Sequence, residues 1–203
     1  MIIIMYPMRV TRQTQADHHA AMLDQAGRLF RARGIEAVGV ADITRAAGLT
    51  HGAFYGHFAS KSALAADVCR ASLRHAAESW HARIARARAN GRDPLDALIA
   101  AYLTPSHRDS PDQGCALPTI GAESIRDPVL RAALADGTIA LLDALAEAIA
   151  LSHPAVADRR AAATAVLAAL VGGLLIARAL ADTPAASDAA LIAAATAAHR
   201  AAA

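Results

Sequence analysis

Aromatic residues are scarce in this 203-residue chain: Phe, Tyr and Trp together make up 3% of it, with one Trp. Its core therefore has to be built from small aliphatic side chains in close contact. Cysteine is nearly absent too. Cys69 and Cys115 cannot form a disulfide framework, and such sparing use fits a reducing, cytoplasmic setting. Stretches in which Val, Ile or Thr alternate with polar residues are almost missing, which argues against sheets. There is no glycine-rich phosphate loop, no Cys-x-x-Cys and no His-Glu-x-x-His, so the sequence carries no mark of an enzyme, a metal site or a cofactor. The longest apolar run, residues 161–181, is interrupted by Gly172-Gly173 and carries Arg178. It reads as a buried helix, not a membrane span. Met1 to Met8 is apolar but short, with no basic lead, and does not read as a signal peptide.

What is present is alanine. The chain is 55% hydrophobic, much of it Ala, the strongest helix former. The expectation is an all-α protein. Charge is unevenly spread: residues 1–92 hold 13 Lys and Arg against six Asp and Glu, while residues 93–203 hold seven against 12. A net of +7 joined to a net of −5 suggests that the first half meets a polyanion and the second does not; scattered surface charge is the plain alternative.

Caps and breakers divide the chain into helices. Residues 1–13 read as a loose arm, and a first helix runs from Asp17 to Arg33, stopped by Gly34. A short helix spans Ala41 to Ala47 before Gly48. Thr50 caps a third, from His51 to His57, and Ser60 caps a long fourth, from Lys61 to Ala89. Asp93-Pro94 opens a fifth, residues 104–114 read as a loop, and Leu117 to Ile125 reads as a short helix. Asp127-Pro128 opens a helix to Leu151. A further helical region follows from His153 to Ala181 with a break near Asp158, and Ser187 caps the last, to Arg200.

The segment from Ala41 to Lys61 carries the function. Two short helices joined at Gly48 make a helix-turn-helix. Ile43, Ala46, Ala47, Leu49, Phe54 and Phe58 are its expected core. Thr50, His51, Ala53, Tyr55 and His57 then face outward, a set of small residues, hydroxyls and imidazoles suited to a major groove.

This segment resembles the TetR/AcrR-type family of transcriptional regulators. The likeness lies in Ile43 to Leu49, in Thr50-x-Gly-Ala-Phe-Tyr-Gly-His-Phe58, in Ser60-Lys61-x-x-Leu64 and upstream in Ala26-x-x-Leu29-Phe30-x-x-x-Gly34, about residues 22–66 in all. The resemblance implies an amino-terminal three-helix DNA-binding domain, here residues 1–66, and a helical effector-binding and dimerisation domain, residues 67–203. It implies a homodimer bound to a double-stranded operator. By position, Tyr55, Lys61 and Thr50 would contact phosphates, and Thr44, Arg45, His51, Ala53 and His57 would lie near base edges or the adjacent backbone. The chain departs from the family where many members have Ser or Thr before the second helix: Gly39, Val40 and Ala41 stand there. Arg9 and Arg12 in the arm are candidates for a minor-groove contact, with a solvated terminus as the alternative. Arg28, Arg31 and Arg33 read as solvated charges attracting DNA at long range.

The remainder offers packing rather than chemistry. Val166, Leu167, Leu170, Val171, Leu174 and Leu175, with Leu191 and Ile192, recur at helical spacing and suit a four-helix dimer interface; an intrachain core is the alternative. A pocket for an unknown small-molecule effector is expected among Trp80, Ile84, Tyr102, Leu103, Cys115, Leu117, Ile120 and Leu141. Cys115, at a helix start, is also a candidate for sensing oxidants or electrophiles. The expected function is a repressor released from a palindromic operator, with activation, or redox sensing through Cys115, as alternatives.

Overall fold

Most helix boundaries follow from side chains that satisfy the orphan amides of a first turn. The computed structural model describes residues 11–203. Helix α1 spans Arg12–Arg33, α2 Val40–Ala46, α3 His51–Phe54, α4 Lys61–Ala89 and α5 Pro94–Tyr102. After them come α6 Pro105–Asp109, α7 Leu117–Ile120, α8 Pro128–Ser152, α9 Arg159–Ala179 and α10 Pro184–Ala201. Two 3-10 turns, Pro111–Gln113 and Gly121–Arg126, flank α7. No strand occurs among the described residues, so the fold is all-α.

The Ser60 hydroxyl accepts the Ala63 N–H at 3.0 Å, Asp93 the Asp96 N–H at 2.9 Å, and Asp158 the Ala161 N–H at 2.9 Å. Each such cap stabilises its helix by about 1 kcal/mol. Four expectations need correction. Thr11 caps α1 and Arg12 begins it, so the arm does not reach residue 13; Arg9 lies outside the described residues. The stretch after Thr104 is a helical turn, because Thr104 and Pro105 repeat the cap-plus-proline signal: the Thr104 hydroxyl accepts the His107 N–H at 3.1 Å. The third helix is shorter than expected, ending at Phe54. Ser187 caps nothing: it is buried one turn inside α10, and its hydroxyl donates to the Ala177 carbonyl of α9 at 2.7 Å.

The helices α1, α2 and α3 make a small head around Met22, Ala26, Phe30, Ile43, Phe54 and Phe58, all buried. Long α4 serves both parts. Its first turns bury Leu64, Ala65 and Val68, and its later turns bury Leu73, Ala77, Trp80 and Ile84. The bundle is α4 against α8, α8 against α9, and α9 against α10. Two glycines permit its closest approaches. A Cβ at Gly137 of α8 would stand 2.4 Å from Leu73 Cβ of α4, and one at Gly173 of α9 would stand 2.1 Å from Ala194 Cβ of α10. Helix α9 is long and apolar enough to cross a membrane by length and composition, yet one face of it packs on α8 and α10 and buries Val166, Leu170 and Leu174.

Candidate nucleic-acid interface

Helix α2 ends in a tight left-handed turn. Gly48 has φ +70°, its N–H donates to the Arg45 carbonyl, and the Leu49 N–H donates to the Thr44 carbonyl at 2.8 Å. This pair of bonds closes a Schellman motif and swings the chain into α3. Phe54 and Phe58 then anchor α3, buried and 5.7 Å apart between ring centroids. With those rings inside, Thr50, His51, Gly52 and Tyr55 are left in solvent, and Ala53 and His57 are half-buried. Tyr55 is 63% exposed, set edge-on against Phe54 at 5.2 Å, and next to His51 at 5.8 Å. A large aromatic left mostly in water is poised for a partner.

The other expected contacts divide. Thr50 occupies the N-cap position, but its hydroxyl makes no cap bond. Arg45 is exposed and pairs loosely with Asp42 at 3.4 Å, a surface bond that water and salt weaken. Asp42 also takes the Gly39 N–H at 3.1 Å, while the first-turn amides of α2 have no side-chain cap, since Gly39 stands where a Ser or Thr would accept them. Thr44 does not reach out: it is 2% exposed and its hydroxyl donates back to the Val40 carbonyl at 3.1 Å, because the face it shares with Ile43 is the packed one. Lys61 is likewise turned inward. Its ammonium donates to the Ile35 carbonyl at 2.9 Å and the Val38 carbonyl at 3.1 Å, tying the α1–α2 loop to α4. Ala46, expected in the core, is exposed. His18 and His19 of α1 went unnoticed in the sequence; their rings lie 6.3 and 6.0 Å from that of His57. Burial, and then these two neighbours, lower the His57 pKa below its ordinary value.

Behind the head lies a cavity of about 500 Å³. Trp80, Tyr102 and Cys115 line it as expected. Ile84, Ile120 and Leu141 do not: they are core residues with at most 1% exposure. Leu103 only packs against that core, and Leu117 borders a separate shallow depression beside α8. The sequence reading missed the α1 wall, Leu23, Asp24, Gly27 and Arg31, and the polar α4 stripe Ser72, His75, Ser79 and Arg83. That stripe was legible, since its members recur every three or four residues along α4. Arg31 is no solvated charge: its Nε donates to the Asp112 carbonyl at 2.8 Å. Arg28 remains at the surface, paired with Asp24 at 3.3 Å.

His107 organises the far end. Its Nδ1 faces the Tyr102 carbonyl at 2.7 Å and its Nε2 accepts the Cys115 N–H at 3.1 Å, which requires the neutral tautomer with the proton on Nδ1. Burial lowers its pKa and keeps it neutral. Gly114 must be glycine there, since a Cβ would stand 2.8 Å from His107 Nε2. Burial also raises the Cys115 pKa against the opposing pull of nearby N–H and cationic groups, so the thiol is protonated and poorly nucleophilic. This weighs against a reactive cysteine.

The presumed dimer stripe splits by face. Val166, Leu167, Leu170, Leu174 and Leu191 are buried within the chain, which corrects their assignment to an interface, and Val171 is half-buried. Leu175 and Ile192 remain outside at 52% and 69% exposure, joined by Ile176.

Comparison with known proteins accords with this geometry. Residues 22–68 match the family of bacterial regulatory proteins, tetR family. Sixty residues, 30% of the chain, are 38% identical to the HTH-type transcriptional regulator AcrR of Shigella flexneri; that match spans 28% of AcrR's own length. The reduced form of NemR from E. coli superposes with a TM-score of 0.73 at 18% identity, over 88% of this chain and 95% of NemR. A TetR-family transcriptional regulator from Streptomyces coelicolor superposes at 0.67 with 26% identity, over 93% and 98% of the two chains. In the Cytophaga hutchinsonii TetR-family regulator the values are 0.73 and 19%, over 95% and 97%. Residues 22–68 thus carry the sequence of a tetR-family reading head, and the chain as a whole shares the fold of TetR-family regulators of known structure.

Proposed function

We propose that this chain is a DNA-binding transcriptional regulator, working as a homodimer that represses from a palindromic operator and lets go when a small molecule fills the cavity behind the head. The observation that carries the DNA-binding reading is Tyr55: an exposed aromatic on a helix pinned by Phe54 and Phe58, inside the segment that matches the family. Two such heads are needed to meet successive major grooves on one side of the duplex. The exposed Leu175, Ile176 and Ile192 on α9 and α10 offer the apolar surface for pairing.

Release follows from where the cavity lies. Its walls come from α1, which belongs to the head, and from α4, which begins beside the head and ends in the bundle. An occupant that favours a different α1–α4 arrangement shifts the head's position by its difference in affinity between the two states. The test is a salt-titrated binding assay against the protein's own upstream DNA, with random DNA as competitor. Selective binding that weakens steeply with salt is expected. Equal affinity for random DNA at every salt concentration counts against sequence reading.

A further inference from the structure

The cavity wall is basic, and it lacks the acids to neutralise itself. Arg31 and Arg83 line it, while Asp24 is the one carboxylate among the lining residues and is already paired with Arg28. His107 contributes no charge, because both ring nitrogens are committed to backbone groups. Arg31 makes no ion pair within 4 Å among the described residues. Its Nε is held by the Asp112 carbonyl, and its two terminal nitrogens have no acceptor among the described residues. Burial depresses its pKa against the opposing pull of Asp112 and Asp24, neither of which pairs with it within 4 Å. Gly27 leaves it room: a Cβ there would stand 3.2 Å from Arg31 Nη1.

We propose that the cavity binds a small organic anion, a carboxylate-bearing molecule whose acid group pairs with Arg31 and whose apolar body lies against Leu23, Val68 and Trp80. This rests on the reading that the chain answers to a small effector, and names the chemistry of that effector. A guanidinium fork matches a carboxylate in shape and charge, and the pair strengthens away from bulk water. A cation would face Arg31 and Arg83 at once with Asp24 alone in compensation. A neutral molecule would leave Arg31 half-buried and unpaired, which is costly. Tyr102, also on the wall, has a buried hydroxyl whose one polar neighbour is the weakly bonding Cys115 thiol, and this is a second polar group for an oxygen-bearing ligand to satisfy. A volume of about 500 Å³ admits a molecule of ordinary metabolite size.

Trp80, the sole tryptophan, reports on its own cavity. Its fluorescence is titrated in the full chain with 3-phenylpropionate, 3-phenylpropanamide and 3-phenylpropylammonium, which differ mainly in the charge of one end. The carboxylate should bind at least tenfold more tightly than the amide, and the ammonium more weakly than both. Arg31→Gln should bring the carboxylate down to the level of the amide while Arg31→Lys recovers part of the preference, with helix content unchanged. Arg83→Gln serves as a second variant should Arg31→Gln unfold, and it should lower the carboxylate preference. Binding of the amide or ammonium as tightly as the carboxylate, no saturable response to the carboxylate, or an unaltered preference in folded Arg31→Gln would overturn the proposal. Operator binding is measured separately: carboxylate binding that leaves operator affinity unchanged defeats the effector reading and leaves the anion site standing.

Discussion

Both oxygens of the Glu123 carboxylate accept the Ile35 backbone N–H, at 3.0 Å each, across 88 positions of sequence. One of them also takes the Glu36 N–H at 3.2 Å. The Ile35 carbonyl, on the other side of the same peptide chain, receives Lys61 at 2.9 Å. The turn after α1 is thus clasped by the carboxy-terminal part through Glu123 and by the first turn of α4 through Lys61. Glu123 follows α7, which itself follows the cavity-lining Cys115, so the clasp joins the cavity wall to the reading head. Next to it, the Ser62 hydroxyl bonds the Asp127 carboxylate, a second tie between α4 and the start of α8.

Glu123→Ala should cost about 1–3 kcal/mol of stability, because the buried Ile35 N–H loses its acceptor. Glu123→Gln keeps one acceptor oxygen and should cost less. Urea unfolding followed by circular dichroism separates the two, and an unchanged midpoint in the alanine variant would show that the clasp bears no load.

Tyr55→Phe should weaken operator binding by about tenfold, the loss of a hydrogen bond to a charged phosphate at about 1.5 kcal/mol. Stability should stay within about 0.5 kcal/mol, since the ring is mostly in solvent. Tyr55→Ala should weaken binding further. Retained affinity in both variants would remove Tyr55 from the interface.

Leu175→Glu combined with Ile192→Glu should convert a dimer to a monomer in analytical ultracentrifugation while leaving helix content intact, because both side chains lie outside the intrachain core. Operator affinity should fall with it. A dimer that survives both charges uses a different face.

Neighbouring glycines in α9 should respond in opposite directions. Gly173→Ala drives a methyl into Ala194 and should destabilise by about 1–3 kcal/mol. Gly172→Ala meets nothing within 4 Å and should stabilise by up to about 1 kcal/mol through helix propensity. Thermal denaturation of the two variants side by side is the check.

Stability should decline as pH falls below 6.5. Burial depresses the His107 pKa, so in that range the unfolded chain takes up the proton first; the stabilisation is complete above the ordinary value of 6.5 and is lost beneath it. His57 acts in the same sense. Asp127, whose carboxyl the Ser62 hydroxyl and the first amides of α8 hold below the usual range, contributes a separate loss only in more acid solution. Urea midpoints at pH 7.5 and 5.5 should differ, and His107→Gln should flatten that slope.

Local chemistry was enough to settle much of this molecule. Ser60, Asp93, Asp127 and Asp158 stop and start helices by bonding amides two or three residues away, and Gly48 turns the chain because it alone tolerates φ +70°. Such interactions involve neighbours in sequence, so they can be read there. The same holds for the alternation of Phe54, Tyr55 and Phe58, which sets the rings inside and the phenol outside. Tertiary packing decided the rest. Thr44 and Lys61 carry groups suited to DNA, and only tertiary packing shows that Thr44 lies on the buried face of α2 and that the α1–α2 loop takes up the Lys61 ammonium. Leu174 and Leu175 are the same residue type at adjacent positions; the helices packed on one face of α9 bury the first and leave the second in water. Arg31 looks like any helix-surface arginine until Asp112 and Cys115, more than 80 positions away, close over it. Burial depends on what arrives from elsewhere in the chain, and no local pattern encodes that arrival.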